Sequence, residues 1–293
     1  MKNLKKLIYL VPFLLIGCEG GDFKESKTFV GGKIVTADTL NLGHKTYMEY
    51  CVSCHGVKGD GNGIAAKGMF PSPRNFTLGI YKFGNVPSGD LPHDEDFYRI
   101  IGHGLNGTAM LKWDISDKRL DAVTQYIKTF APTVWEAKDR TLGEAITLTK
   151  DPFVDQSKIK AVEYGKEVYH AVASCQSCHS AYATKEELIT YGKKYNNPVT
   201  DFEANLYEVK LQEGEYGIKN LPVDFTWHPV RSATTVDELY LRIASGIGGT
   251  SMPSWKGTLE DDQIWAVAYY VKSLMDLRNT PERDVLFLKL KNQ

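Results

Sequence analysis

An all-α chain built from two tandem helical units is what this sequence predicts, on three observations. One plan is repeated twice along the chain, each copy holds a Cys-x-x-Cys-His cluster, and few segments alternate apolar and polar residues as strands do. The strongest internal match lies between Tyr98–Trp113 and Tyr240–Trp255. At a constant offset of 142, Tyr98 pairs with Tyr240, Ile101 with Ile243, Gly104 with Gly246, Gly107 with Gly249, Thr108 with Thr250, Met110 with Met252 and Trp113 with Trp255. The closing helices match at an offset of 144, Ala122-Val123 against Ala266-Val267 and Tyr126 against Tyr270.

Each element has a local reason. Asn41–Tyr50 and Ile159–Ala173 read as the helices that lead into the two cysteine clusters, and Asp117–Thr129 and Glu260–Leu277 as the helices that close the two copies. Asp261-Asp262-Gln263 puts acidic residues in the first turn of the last of these, where the helix dipole favours them. Pro132 and Asp151-Pro152 punctuate the stretch between the copies. Hydrophobic residues make up 42% of the 293 and charged residues 24%, a balance that supports a folded chain over a disordered one. A net charge of −1 gives no support to nucleic-acid binding.

The first residues look like an export signal. Lys2, Lys5 and Lys6 precede the apolar run Leu7–Gly17, too short to cross a bilayer, and Leu15-Ile16-Gly17-Cys18 resembles a bacterial lipobox. Cys18 is then the lipidated residue, which also accounts for the one cysteine outside the two pairs. The expected organisation is a lipoprotein signal peptide at 1–17, a flexible tether at 18–37, a first unit at 38–131 and a linker at 132–157. A second unit follows at 158–279 with an insertion at about 181–227, then a C-terminal arm at 280–293. The insertion is either a partner-docking surface or an elaborated loop. An exported, lipid-anchored protein is expected, its body facing the periplasm or the cell exterior.

Cys51-Val52-Ser53-Cys54-His55 and Cys175-Gln176-Ser177-Cys178-His179 carry the chemistry. Two thiols at this spacing reach the two vinyl groups of one haem as thioethers, and the histidine after them supplies a nitrogen to the iron. A zinc site would set its cysteine pairs some 15–20 residues apart, whereas 120 residues separate Cys54 from Cys175. A thioredoxin-like disulfide would need a βαβ context, and structural disulfides would need no histidine after both pairs. Met110 and Met252 occupy equivalent places in a loop before each closing helix, from which a thioether sulfur can cross the far face of a haem. Met69 and His103 are rival sixth ligands in the first copy, although Ser245 stands where His103 stands. His44, His93, His170 and His228 read as structural or solvated.

With Gly43-x-x-x-Tyr47-x-x-x-Cys51, Cys54-His55-Gly56-x-x-Gly59-Asp60-Gly61 and Met252-Pro253-Ser254-Trp255 in place, the chain resembles the class I c-type cytochromes, as a fusion of two such domains. The resemblance covers about residues 40–130 and 158–278 and implies a small helical cup around each of two covalently bound haem c groups. It makes His55 and His179 the proximal ligands and Met110 and Met252 the distal ones. It implies single-electron transfer between redox protein partners, as a carrier or as the haem subunit of a membrane respiratory complex, with no catalytic residue. A dihaem cytochrome c peroxidase with one displaceable sixth ligand is the alternative, and a gas-binding module a third reading. The chain departs from the family pattern at Leu111, which stands where Pro253 stands, and at Ser180, which replaces a glycine. It departs again at Tyr169, six residues before Cys175 where Tyr47 lies four before Cys51.

Overall fold

The computed structural model describes residues 23–155, 158–214, 217 and 219–292. The readings placed on residues 1–17 and on Cys18 lie outside the described residues. In the first unit the order is β1 (Lys27–Phe29), β2 (Lys33–Val35), α1 (Ala37–Tyr50), α2 (Val52–His55), α3 (Asp94–His103), α4 (Asp117–Lys128) and α5 (Pro132–Trp135). The second holds α6 (Lys158–Glu167), a π-helical turn (Val168–Val172), α7 (Lys185–Lys194), β3 (Gln212–Glu213), β4 (Lys219–Asn220), α8 (Val236–Ser245), α9 (Asp261–Asp276) and α10 (Pro281–Lys291). Helices dominate, as expected; among the described residues the strands form two small antiparallel pairs.

Each unit is organised by one helix crossing. Thr36 caps α1, its hydroxyl accepting from the Thr39 N–H at 3.2 Å. Leu40, Gly43, Thr46 and Tyr47 then recur at helical spacing and are buried. At Gly43 the backbone of α1 passes so close to α4 that an added Cβ would lie 2.1 Å from the Ala122 carbonyl oxygen. Gly165 meets Ala266 in the same way, at 1.9 Å, where α6 crosses α9. Two separate apolar cores result, around Tyr47, Val123 and Trp135 in one unit and around Tyr169, Tyr240 and Trp265 in the other.

Several expected boundaries move. The described part of the 18–37 tether is not a tether, because Phe29, Val30 and Val35 are apolar and sink into the first core, and the Val30 N–H donates to the Trp135 carbonyl at 2.7 Å. The 132–157 linker is likewise a packed strap. Its Trp135 is fully buried and donates to the Tyr81 hydroxyl at 2.9 Å, while Ile146 and Phe153 belong to the second core. Within the insertion, Thr184 and Glu187 form a capping box that starts α7, and Ala181, Ala183, Leu188 and Leu206 make a small core of their own. The C-terminal arm is the helix α10, which buries Leu290 and holds the Arg283 guanidinium 4.1 Å over the Trp227 ring. Among the described residues no helix is long and apolar enough to cross a membrane.

The two units meet reciprocally. The Asn106 N–H of the first unit donates to the Arg231 carbonyl of the second at 2.8 Å, and the Gly248 N–H of the second donates to the Lys82 carbonyl of the first at 3.0 Å. Asn106 and Gly248 are equivalent residues, as are Lys82 and Arg231, so the contact has the self-complementary form of a twofold interface within one chain. Gly107 abuts Pro229 and Gly249 abuts Ile80, again equivalent pairs. Buried Arg242 bolts the contact, donating to the Gly84 carbonyl at 3.1 Å and to Asn85 Oδ1 at 3.1 Å.

Candidate haem-binding sites

The two cysteine clusters, an α-helical turn in the first unit and a 3-10 turn in the second, share their backbone hydrogen bonds. The His55 N–H donates to the Cys51 carbonyl at 2.9 Å, and the His179 N–H to the Cys175 carbonyl at 2.9 Å. His55 Nδ1 lies 3.1 Å from the Arg74 carbonyl and His179 Nδ1 2.8 Å from the Val223 carbonyl. A carbonyl can only accept, so each Nδ1 carries the proton and each Nε2 keeps its lone pair for a metal. Burial lowers the pKa of both imidazoles, which keeps them in the neutral, ligating form. Phe76 stacks on His55 with ring centres 4.6 Å apart, and Phe225 on His179 at 4.8 Å. Both rings are therefore held from one side by a carbonyl and from another by an aromatic face.

The leading helices differ, yet deliver the same contact. Tyr47 donates to the Gly56 carbonyl at 2.7 Å and Tyr169 to the Ser180 carbonyl at 2.9 Å, each the residue after the histidine. The two extra residues between Tyr169 and Cys175 are absorbed by the π-helical turn and by Ser174, which takes the left-handed conformation at φ 50°. Ser180 in place of a glycine leaves this bond intact.

Sequence reasoning missed the accepting carbonyls and the stacking rings, although a signal was present. Pro73-Arg74-Asn75-Phe76-Thr77 and Pro222-Val223-Asp224-Phe225-Thr226 match at an offset of 149. In both, the side chain of Asn75 or Asp224 accepts from the N–H two residues on, at 2.9 Å, shaping the turn that presents the carbonyl. The insertion therefore ends before Pro222, not at 227.

The methionine loops are also superimposable in their bonding. The Leu105 N–H donates to the Met110 carbonyl at 2.8 Å and the Ile247 N–H to the Met252 carbonyl at 3.2 Å. Thr108 and Thr250 each accept from the following methionine's N–H, at 3.1 and 3.2 Å. Gly104 and Gly246, both at φ 73°, turn the chain where a Cβ would strike the loop's own backbone. Leu111 in place of Pro253 leaves these bonds unchanged.

In the first unit a largely apolar cavity is lined by Cys51, Cys54, His55, Phe76, Met110 and Trp113. Met69 lines it too, whereas His103 is exposed and lines only an adjoining cleft, beside Leu111, that shares Met110 with the cavity. In the second unit Cys175, Met252, Trp255 and Phe225 pack partly buried on the core. The four described cysteines form no disulfide, and burial pushes the Cys51 and Cys175 thiols up to about 12. Cys51 and Cys175 are therefore not reactive thiolates. Among the described residues no three of His, Cys, Asp or Glu gather to hold a bare metal ion. In the first unit, paired thiols, an imidazole whose Nδ1 is already bonded and a thioether lining the same largely apolar cavity fit a covalently attached haem.

Of the other histidines, His170 is buried and satisfied on both nitrogens, by the Lys166 carbonyl at 2.7 Å and the Tyr182 N–H at 3.1 Å. Burial pushes it down to about 4. His93 sits ahead of α3, its Nε2 2.9 Å from the Gly143 carbonyl. Both are structural.

A chain with two such helical cups, each closed by a Cys-x-x-Cys-His turn and a methionine loop, has the architecture of a tandem c-type cytochrome. Residues 38–127 and 160–271 match the family described as cytochrome C oxidase, cbb3-type, subunit III, and the chain belongs to that family. Its cytochrome c domains imply covalently bound haem c and a role in electron transfer. Among solved structures it is similar to a chain of the Kuenenia stuttgartiensis reducing HAO-like protein complex Kustc0457/Kustc0458. The similarity is 31% identity with a TM-score of 0.61, over 80% of this chain and 95% of that one. No curated protein matches the chain significantly.

Proposed function

We propose that the chain is a membrane-anchored dihaem cytochrome c that passes single electrons between redox protein partners of a respiratory chain, as a carrier or as the haem subunit of a larger complex. One haem would be held by Cys51 and Cys54 with His55 and Met110 as iron ligands, the other by Cys175 and Cys178 with His179 and Met252. The observation that carries this reading is the duplication of the carbonyl-held histidine and the methionine loop in both units. Each haem, when bound, supplies a one-electron iron couple, and methionine opposite histidine favours a higher potential than two histidines would. The chain's residues hold the imidazoles neutral and wall the crevices with apolar side chains. The matching bonding of the two methionine loops, and the place of Met110 but not His103 on the cavity wall, support two filled sites over one open, peroxidase-like site. The likeness to a chain of a multiprotein complex supports a fixed protein partner.

Ferric near-infrared and EPR spectra test the assignment. The wild type is expected to show methionine–iron signatures from both haems, and Met110→Ala and Met252→Ala each to lose one. A wild type lacking either signature, or turning over hydrogen peroxide briskly, overturns the reading. The anchor is assigned to Cys18, on the lipobox-like Leu15-Ile16-Gly17-Cys18. Mass spectrometry of the membrane-purified chain is expected to find an acylated cysteine at its N-terminus, and Cys18→Ser to release the protein from the membrane fraction. An unmodified N-terminus at another residue overturns the anchor.

A further inference from the structure

The wall of the first crevice carries cations that no described carboxylate neutralises. Arg74, Lys82 and Arg231 line the same cavity as Cys51, Cys54 and His55. Two come from the first unit, whereas Arg231 comes from the second, brought there by the Asn106 N–H to Arg231 carbonyl bond at 2.8 Å. Among the described residues none of the three forms an ion pair. Asp96 is on the same wall but is committed to Arg99 at 3.0 Å and to the Asn85 N–H at 2.9 Å. Lys82 Nζ instead donates to neutral Asn220 Oδ1 at 3.2 Å.

Collecting like charges against apolar walls is unfavourable unless an anion sits among them. Burial first, and then the neighbouring Arg74 and Arg231, push the Lys82 amine down to about 8. The second crevice is not built this way, because Val223 stands at the position of Arg74. The anion must belong to something that fills an apolar cavity and reaches its rim with carboxylates. A haem held at Cys51 and Cys54 meets that description through its two propionates.

We propose that Arg74, Lys82 and Arg231 seat the propionates of the haem in the first crevice, so that the second unit completes the first unit's site. This rests on the haem assignment above. Arg231 is then a positioning and charge-compensating residue that acts across the interface, and the reciprocal backbone bonds between the units hold it in place.

The full-length holoprotein tests it through three variants, Arg231→Gln, Arg74→Gln and Arg231→Lys. Removing a cation beside the haem favours the ferric state, so both glutamine variants are expected to lower the midpoint potential of one and the same haem. The propionate bending band in the resonance Raman spectrum is expected to move down with it, and Arg231→Lys to restore most of both shifts. Arg231 is exposed, and haem content per chain confirms that each variant is loaded. The proposal is overturned if Arg231→Gln moves the other haem's midpoint, moves a midpoint without the Raman band, or moves neither. A wild type with fewer than two haems would instead defeat the haem assignment itself.

Discussion

A Cys175→Ala/Cys178→Ala chain is expected to carry half the covalent haem of the wild type and to melt first in its second unit. The two cysteines are joined by no disulfide, and the one other described bond to their thiols is a long contact from the Ser177 hydroxyl to Cys178 Sγ at 3.8 Å, so little else is lost with them. What goes is the attachment of the group around which the unit closes. Met252, Trp255 and Phe225 pack on the core from the crevice side and would lose the surface they cover. A vacated crevice costs at least what truncating a large buried aromatic does, about 3–5 kcal/mol. Haem staining on a denaturing gel reads covalent attachment alone, and the pyridine haemochrome spectrum gives haem per chain. Undiminished staining would assign the cysteines some other role. The first unit, with its own core around Tyr47 and Trp135, is expected to keep its haem and its melting temperature.

The c-type cytochrome class was legible because haem attachment demands specific residue types at fixed spacing, and a repeated demand leaves a repeated signature. The methionine loops were legible for the same reason, down to Gly104 and Gly246. What serves the histidines through backbone carbonyls was harder to see, since Arg74 and Val223 share no side-chain chemistry and act through atoms every residue has. Only the turn residues around them, Pro73 with Asn75 and Pro222 with Asp224, betray the position. The boundaries failed differently. Glycine-rich polarity near the N-terminus suggested a tether, but Phe29, Val30 and Val35 outweigh it once a core is available to receive them. Nor does a pattern within either unit announce the reciprocal interface. Its bonds join Asn106 to Arg231 and Gly248 to Lys82, and reciprocity emerges only when the offsets of 142 and 149 are compared.

The same logic of close backbone approach yields the second large effect: Gly165→Val is expected to leave no folded second unit, and Gly165→Ala to cost about 3 kcal/mol or more. On helix propensity alone, glycine to alanine within a helix gains about 1 kcal/mol. Packing decides the sign here. A Cβ at Gly165 would lie 1.9 Å from the Ala266 carbonyl oxygen, 2.5 Å from its carbon and 2.8 Å from Tyr270 Cβ. None of these is the flexible end of a side chain, so α6 and α9 must separate. Both helices supply the second core, with Ala161 on one and Ile264, Trp265, Val267 and Val271 on the other, so separation loosens contacts along their whole length. Gly43→Ala faces Ala122 at 2.1 Å and is expected to damage the first unit in the same way. Gly102 in α3 is the control, since nothing lies within 4 Å of its added Cβ. Gly102→Ala is expected to hold or raise stability, by up to about 1 kcal/mol. Thermal denaturation of the three alanine variants, each with its haem content verified, decides the matter. If Gly165→Ala melts like Gly102→Ala, the helix crossing is not what organises the haem cups, and the equivalence of Gly43 and Gly165 is a coincidence of sequence.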